Sequence, residues 1–391
     1  MQLFFRFSHL LGLYGGKFVA FPQALSNFAK QKLRMSDNQI KIHKWLRPAA
    51  AIYGAVTDLR NTLYDKKVFS QYAAPFPVIC IGNITAGGTG KTPQAEYLIR
   101  LLQHRFRTAL LSRGYGRATK GYIRSTYGAT PETIGDEPFQ MSRKFPSVCV
   151  AVCEDRATGL KELERTYHPD VVILDDAFQH RQVRPSLSIL LINWNRDIHS
   201  DCLIPAGLLR EDVSGKSRAD IIVVTKCPEN ITEDQMMEFK ARIAPAQHQK
   251  VFFSKIEYGD FIPWDKNTAP RKLCDISPST SVIVATGIAS PQPVIDLLEQ
   301  RCGNISHIAF PDHHRFTEKD IVRITEAYDR SAGNDRMLIV TEKDSGKMRE
   351  LNIRQDIAEN MHILPIETEF ITDRNGFDDI IINHIENFSI R

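Results

Sequence analysis

The stretch "ICIGNITAGGTGKTPQAEYLIRLL", Ile79 to Leu102, decides how the rest of the chain is read. Its opening apolar residues read as a strand, its glycines as a tight turn, and its end as a helix with Ala95, Leu98, Ile99 and Leu102 on one face. A turn of this kind, between a strand and a helix, presents consecutive backbone N–H groups to a phosphate, and the helix adds its positive N-terminal end. Gly87, Gly88 and Gly90 supply the turn, Lys91 reaches the outer phosphates, and Thr92 offers a hydroxyl to magnesium. The predicted nucleotide-binding segment is therefore Thr85, Ala86, Gly87, Gly88, Thr89, Gly90, Lys91 and Thr92. One position departs from the common pattern: Thr85 stands five residues before Gly90, where a glycine is usual. It is compatible with such a loop if its backbone needs no positive φ.

A phosphate loop needs an acidic partner at the end of a neighbouring strand. "VVILDDAFQH" supplies four apolar residues followed by Asp175 and Asp176, with Gln179 and His180 close behind. Carboxylates placed there hold Mg²⁺ or its waters. Ile221–Val224 leads into Thr225-Lys226, but Cys227-Pro228 follows, so the aspartate that reads a guanine edge is absent. ATP is favoured over GTP. "SRGYGR" (112–117), "GDEP" (135–138) and "PDHHRF" (311–316) are polar clusters at expected loops. Adjacent histidines seldom face one centre, so the last reads as acid–base or phosphate-contacting rather than metal-binding.

Around this centre, apolar runs alternate with helical patterns: Val78–Ile81, Thr108–Leu111, Val148–Val152, Val171–Leu174, Leu187–Ile192 and Ile221–Thr225. Strands apolar throughout are covered on both faces. The expected fold is α/β, a mostly parallel sheet of the P-loop NTPase type with helices on both faces. Ligands then collect at the carboxyl ends of the strands. Further strands are expected at Ser281–Ala285, Met337–Val340 and His362–Ile366, in a smaller C-terminal α/β domain. The expected division is an N-terminal extension over 1–34, a basic amphipathic helix over 35–68, a P-loop domain over 69–265 and the second domain over 266–391.

The chain has 391 residues and a formal net charge of +4, and no long Lys/Arg block accompanies that charge, so nothing points to nucleic acid. Seven scattered cysteines without a CxxC pair argue against a disulfide framework or a zinc knuckle, and Cys149 and Cys153 read as buried thiols, as in a reducing compartment. The first 34 residues hold no Asp or Glu, and Gly15-Gly16 and Pro22 interrupt their apolar runs. They are too short and broken to span a bilayer. An interfacial segment, a disordered tail and an untranslated upstream stretch are the three readings. From Trp45 to Lys67, Ile52, Val56, Leu59 and Leu63 recur at helical spacing beside Arg47, Arg60, Lys66 and Lys67. Such a helix packs on its own protein or lies on an anionic membrane.

Taken in order, "WLRPAAAIYG", "RNTLYDK", "GNITAGGTGKTP", "LSRGYGR", "GDEP", "LDDAFQHR", "PAGLLRE", "VVTKCP", "TGIASP", "FPDHHRF" and "TEKD" resemble the tetraacyldisaccharide 4′-kinase family. The likeness runs from about Trp45 to Asp344, and Thr85 belongs to the family's form of the loop. The resemblance implies transfer of the ATP γ-phosphate to the 4′-hydroxyl of tetraacyldisaccharide 1-phosphate, giving lipid IVA in lipid A biosynthesis. It implies a peripheral enzyme on the cytoplasmic face of the inner membrane of a Gram-negative bacterium. The basic helix would then dock on the anionic membrane surface, and no obligate protein partner is evident. By the same resemblance, Asp136 is the catalytic base, His313 its partner, and Lys91 the phosphate-binding lysine. Thr92, Asp175, Asp176 and Glu211 are the Mg²⁺ candidates. Arg113, Arg117, Arg210, Gln179 and His180 are the expected substrate or phosphate contacts. The pairing of Asp136 with His313 is expected to need closure of the two domains. Two positions depart from the family: Ala177 stands where glycine is usual, and Asp212 where proline is common.

Overall fold

The computed structural model describes residues 42–389 except Tyr127 and His313. The N-terminal extension and the His313 side chain therefore lie outside the described residues. The chain divides into two compact units, each interrupted in sequence. Among the described residues, the first takes 42–113, 153–255 and 370–389, and the second takes 114–152 and 256–369 apart from Tyr127 and His313.

The first unit is built on parallel strands β1 (Val78–Gly82), β2 (Thr108–Ser112), β5 (Val171–Leu174), β6 (Leu187–Asn193), β7 (Ile221–Thr225) and β8 (Lys250–Tyr258). They run in the order β8-β7-β6-β1-β5-β2. Every residue of β1, β2, β5, β6 and β7 is buried, as continuous apolar runs require. Helices α1 (Arg47–Asp65), α2 (Lys91–Leu102), α5 (Arg156–Thr166), α6 (Glu233–Ile243) and α11 (Arg374–Glu386) belong to this unit. The core beside β6 and β7 gathers Leu190, Ile192, Ile222 and Val224 around Phe239 and Phe253, with Trp194 stacked on Phe239 at 4.7 Å.

The second unit has strands in the order β11 (Asn304–Ala309), β10 (Ser281–Thr286), β12 (Arg336–Thr341), β13 (Met361–Leu364) and β9 (Ile262–Pro263), parallel except for β9. Alternate residues feed two cores, as a period of two demands. Ile283, Ala285, Leu338 and Val340 meet Ile321 and Ile324 of α8 (Glu318–Arg330). Val282, Val284, Met337 and Ile339 meet Val294 and Leu298 of α7 (Gln292–Glu299). The inserted segment contributes α3 (Pro131–Ile134), α4 (Asp136–Lys144) and the antiparallel pair β3 (Ile123–Arg124) and β4 (Cys149–Val152). α9 (Glu342–Met348) and α10 (Gln355–Ala358) complete the unit.

The expected strands are present, but the domain division differs from the expected cut near residue 265. Residues 114–152 group with the C-terminal unit, and the chain's end returns to the first. The return has a packing cause. Phe377 and Ile381 of α11 are fully buried, and Phe377 meets the ring of Phe252 at 5.3 Å and that of Tyr97 at 5.9 Å. Tyr97 also donates its hydroxyl proton to Asp378 at 2.7 Å. Cys149 and Cys153 are buried free thiols, as their apolar setting predicts.

Candidate active site

The phosphate loop leaves the carboxyl end of β1 and opens into α2. Gly87 and Gly90 have φ of 103° and 78°, a region open to glycine and costly for other residues. The loop's carbonyls are tied off by neighbouring side chains. Ala86 O accepts from Arg196 at 2.6 Å, Gly88 O from Asn193 at 3.4 Å, and Thr89 O from the Thr225 hydroxyl at 2.9 Å. Asn83 donates to the Thr89 hydroxyl at 2.6 Å. Among the described residues, the backbone N–H groups of Gly87, Gly88, Thr89 and Gly90 donate to no other backbone group. Carbonyls held away and N–H groups left over make an anion cradle. Thr85 needs no glycine: it forms an isolated antiparallel bridge with Leu209, and its φ is not positive. Ala86 N donates to Leu208 O at 2.7 Å, and Arg210 N to Ile84 O at 2.7 Å, so the "PAGLLRE" segment braces the loop.

That segment also carries charge to the site. Arg210 Nη1 lies 2.8 Å from Asp176 Oδ1, and Lys91 Nζ lies 3.7 Å from the same oxygen. Two cations meeting one carboxylate leave an excess of positive charge suited to a phosphate. Asp176 has a φ of 47°, so the left-handed position of the "DDAF" turn falls on it and not on Ala177. The substitution of alanine for the family's glycine is thereby accommodated. Asp175 accepts from the Ser112 hydroxyl at 3.2 Å.

The three acidic candidates for metal part company. Glu211 is buried, and Arg218 Nη2 reaches its two oxygens at 2.8 and 2.7 Å. Gln179 and Asn61 donate to it at 2.8 and 3.3 Å. A carboxylate so engaged holds the loop in place. Among the described residues, no group of three or more His, Cys, Asp and Glu gathers as a metal cage. Mg²⁺ bound by one or two protein oxygens plus phosphates needs no such cage. Thr92 and Asp175 fit that donor set, and buried Asn83 Oδ1 and Arg210 Nε lack hydrogen-bond partners among the described residues, so polar capacity is left over at this loop.

His180 and Gln179 are less exposed to a ligand than expected. His180 Nε2 accepts from the Arg156 backbone at 3.3 Å, and burial, then the Arg156 guanidinium, pushes its pKa down to about 3. A neutral ring engaged in this way braces the turn and brings no charge to a phosphate. Gln179 donates to Asn83 O at 2.6 Å as well as to Glu211. Arg113 belongs to the first unit and Arg117 to the second, where Arg117 donates to Gly121 O at 2.6 Å.

Asp136 opens α4 in the second unit. Gly135 before it has φ 91°, and a Cβ there would come within 2.9 Å of Tyr115 O, so glycine is required. Lys347 Nζ lies 3.1 Å from Asp136 Oδ2. One turn earlier on α9, Lys343 lies 3.0 Å from Asp312. α9 thus ties the "GDEP" and "PDHHRF" loops within one unit, and bringing them together asks nothing of the other unit. The expected cut near residue 265 separates these loops, whereas both fall in one unit; the His313 side chain itself lies outside the described residues. His314 is committed to Asp320 at 3.0 Å and stacks on Phe310 at 5.0 Å. In "TEKD", Thr341 caps α9 and buried Asp344 accepts from Gly287 N at 2.9 Å, a structural use.

The sequence reading missed Asn83, Asn193, Arg196, Tyr53 and Lys347. Asn193 and Arg196 follow β6 in "NWNR", and a polar cluster at a strand's carboxyl end was the available signal. Tyr53 of α1 donates to Arg210 O at 2.6 Å, a contact across 157 positions that no local pattern carries.

A family model described as Tetraacyldisaccharide-1-P 4′-kinase, LpxK, matches residues 42–386. A tetraacyldisaccharide 4′-kinase of Parabacteroides distasonis is 41% identical over 358 residues, covering 90% of this chain and 97% of that protein. One from Bacteroides thetaiotaomicron is 40% identical over 363 residues, covering 90% and 95%. The crystal structure of LpxK from Aquifex aeolicus in complex with ATP aligns with a TM-score of 0.67 at 29% identity, covering 87% of this chain and 98% of that one. With the phosphate loop, its acidic strand end and the matched span all in agreement, this chain belongs to the tetraacyldisaccharide-1-P 4′-kinase family.

Proposed function

We propose that this kinase binds ATP in the Thr85–Thr92 loop and moves its γ-phosphate to the 4′-hydroxyl of tetraacyldisaccharide 1-phosphate by way of Asp136. The chemistry balances simply. Asp136 takes the hydroxyl proton, the freed oxygen bonds to the γ-phosphorus, and the β–γ bridging P–O bond breaks, so that ADP leaves with that oxygen. The product is lipid IVA. The loop N–H groups, Lys91 and Arg210 neutralise phosphate charge, and Asp176 orients the two cations. Mg²⁺, held by Thr92 and Asp175, would supply further neutralisation of the phosphate oxygens. His313, outside the described residues, is the partner of Asp136 that the resemblance implies. The observation that carries the nucleotide half is the cradle of outward carbonyls and unspent N–H groups.

We further propose that the enzyme works as a peripheral protein on an anionic membrane, on the cytoplasmic face of the inner membrane. No helix among the described residues is long and apolar enough to cross a bilayer. α1 buries Ala50, Tyr53, Gly54 and Thr57 and leaves Ile52 and Leu59 exposed. Trp45, Ile52 and Leu59, seven residues apart, are 71%, 63% and 59% exposed. Ile52 and Leu59 share one face of α1, and Trp45 lies in the 3₁₀ turn just before the helix. Withdrawal from water is worth roughly 1.5–3 kcal/mol for a fully buried large apolar side chain. Arg47 is exposed beside this stripe, whereas Arg60 turns inward toward Glu211, and its burial lowers its pKa. Arg60 is thus a brace for the site, not a membrane contact. The buried face of the same helix hydrogen-bonds Arg210 and Glu211, so docking and phosphate binding share one element.

The deciding experiment supplies γ-labelled ATP, Mg²⁺ and tetraacyldisaccharide 1-phosphate in mixed micelles. Label is expected in lipid; its absence with a folded, ATP-binding protein would sink the proposal.

A further inference from the structure

Lys347 belongs to no motif that the proposed reaction uses, yet it is the most deeply buried cation beside the proposed base. Its side chain is only 8% exposed, and its Nζ lies 3.1 Å from Asp136 Oδ2. The angles do not make this an aligned hydrogen bond, so the contact is one of charge. A desolvated ammonium is costly unless a carboxylate faces it. Three neighbouring cations are paired elsewhere. Lys144 pairs with Glu342 at 2.6 Å, Lys343 with Asp312 at 3.0 Å, and Arg315 with Glu132 at 2.7 Å. Lys347 is therefore the ammonium that α9 directs at Asp136, the first residue of α4 after Gly135.

We infer that Lys347 is a positioning residue for the kinase reaction: it holds the Asp136 carboxylate ionised and aimed, and acts only through it. The inference rests on the reading of Asp136 as the base. An ammonium at this distance favours the charged carboxylate, the form that accepts a proton. Without it the carboxylate loses both its orientation and part of its tendency to stay ionised. Nothing in this role touches ATP, which the other unit binds.

The test compares Lys347→Met, Lys347→Gln, Lys347→Arg, Asp136→Asn and the double variant Lys347→Met/Asp136→Asn, each as full-length enzyme, with circular dichroism confirming the fold. Lys347→Met is expected to lower kcat by roughly 10- to 100-fold, within the range a general base supplies, with KM for ATP unchanged. The acid limb of its pH–kcat profile should move to higher pH, and Lys347→Arg should restore both kcat and the limb in large part. In the Asp136→Asn background, Lys347→Met should cost almost nothing more. If Met fails to fold, the Gln and Arg variants carry the same comparison. An unchanged kcat and limb in folded Lys347→Met or Lys347→Gln, beside an inactive Asp136→Asn, would overturn the role of Lys347 alone. Full turnover by Asp136→Asn would instead overturn the base on which the inference rests.

Discussion

The phosphate loop and the Asp136 loop solve opposite electrostatic problems with different materials. The first must hold an anion, and it does so with backbone. Its carbonyls are drawn outward by Arg196, Asn193 and Thr225, and its N–H groups are left for phosphate. The second must keep a carboxylate in place, and it does so with a side-chain charge from a separate helix, Lys347 of α9. Backbone sites are written in consecutive residues, because one turn supplies all the donors. Charge-held sites are assembled from distant positions, because the partner can come from any element that packs nearby.

This contrast is open to breakage. The largest effect is expected at the one side chain that the backbone cradle cannot replace. Lys91→Ala should cut kcat on the order of 10³-fold, from lost neutralisation of transferring phosphate, while Asp136→Asn should spare ATP affinity. Equal loss of ATP affinity in both variants, by isothermal titration, would erase the distinction between the two loops. A smaller effect is expected from the supports. Thr225→Val removes the hydroxyl that ties Thr89 O, and should weaken ATP binding by about 1 kcal/mol, close to fivefold. No change would mean that the carbonyl ties do not shape the cradle.

The two faces of α1 extend the comparison. Replacing Trp45, Ile52 and Leu59 together by serine should reduce cosedimentation with anionic vesicles at least tenfold, since these side chains are exposed in the free protein. ATP binding should survive. Arg60→Glu should do the reverse, disturbing the Glu211 network with little effect on vesicle binding. The same result for both variants would refute the division of the helix into two faces.

The smallest effect concerns pH. His180 is held neutral, with a folded pKa near 3 against an ordinary 6.5, because burial and Arg156 oppose its charge. The unfolded chain therefore binds the extra proton first, and stability contributed by the neutral ring is present above pH 6.5 and is lost as pH falls from there toward 3. Thermal melts of His180→Gln should fall less steeply across that acid window than those of the parent. Parallel slopes would remove His180 from the acid sensitivity.

Legibility followed range along the chain. The Val171–Leu174 and Ile221–Thr225 strands were readable in full, because buried parallel strands leave unbroken apolar runs. β11 was not, since its edge position leaves most of "NISHIA" exposed and without a clean period. Nor was β8, although its Phe252 and Phe253 are buried. In the candidate site, Lys91, Thr92, Asp175, Asp176 and Asp136 were named from motifs. Glu211 was named with them, but a motif records that a carboxylate is needed and not that Arg218 and Gln179 engage it.

By itself the sequence determined the parallel α/β sheet, the phosphate loop with its departure at Thr85, and the family. Each of these is written in neighbouring residues or in ordered motifs. Only the tertiary structure decided that 114–152 joins the C-terminal unit, that α11 returns to the first, that Trp45 before α1 and Ile52 and Leu59 on it are left to solvent, and that Lys347 faces Asp136. The physical reason is common to all four. Which surface an element buries, and which charge ends beside which, depends on what packs against it from far along the chain, and local periodicity carries no record of that partner.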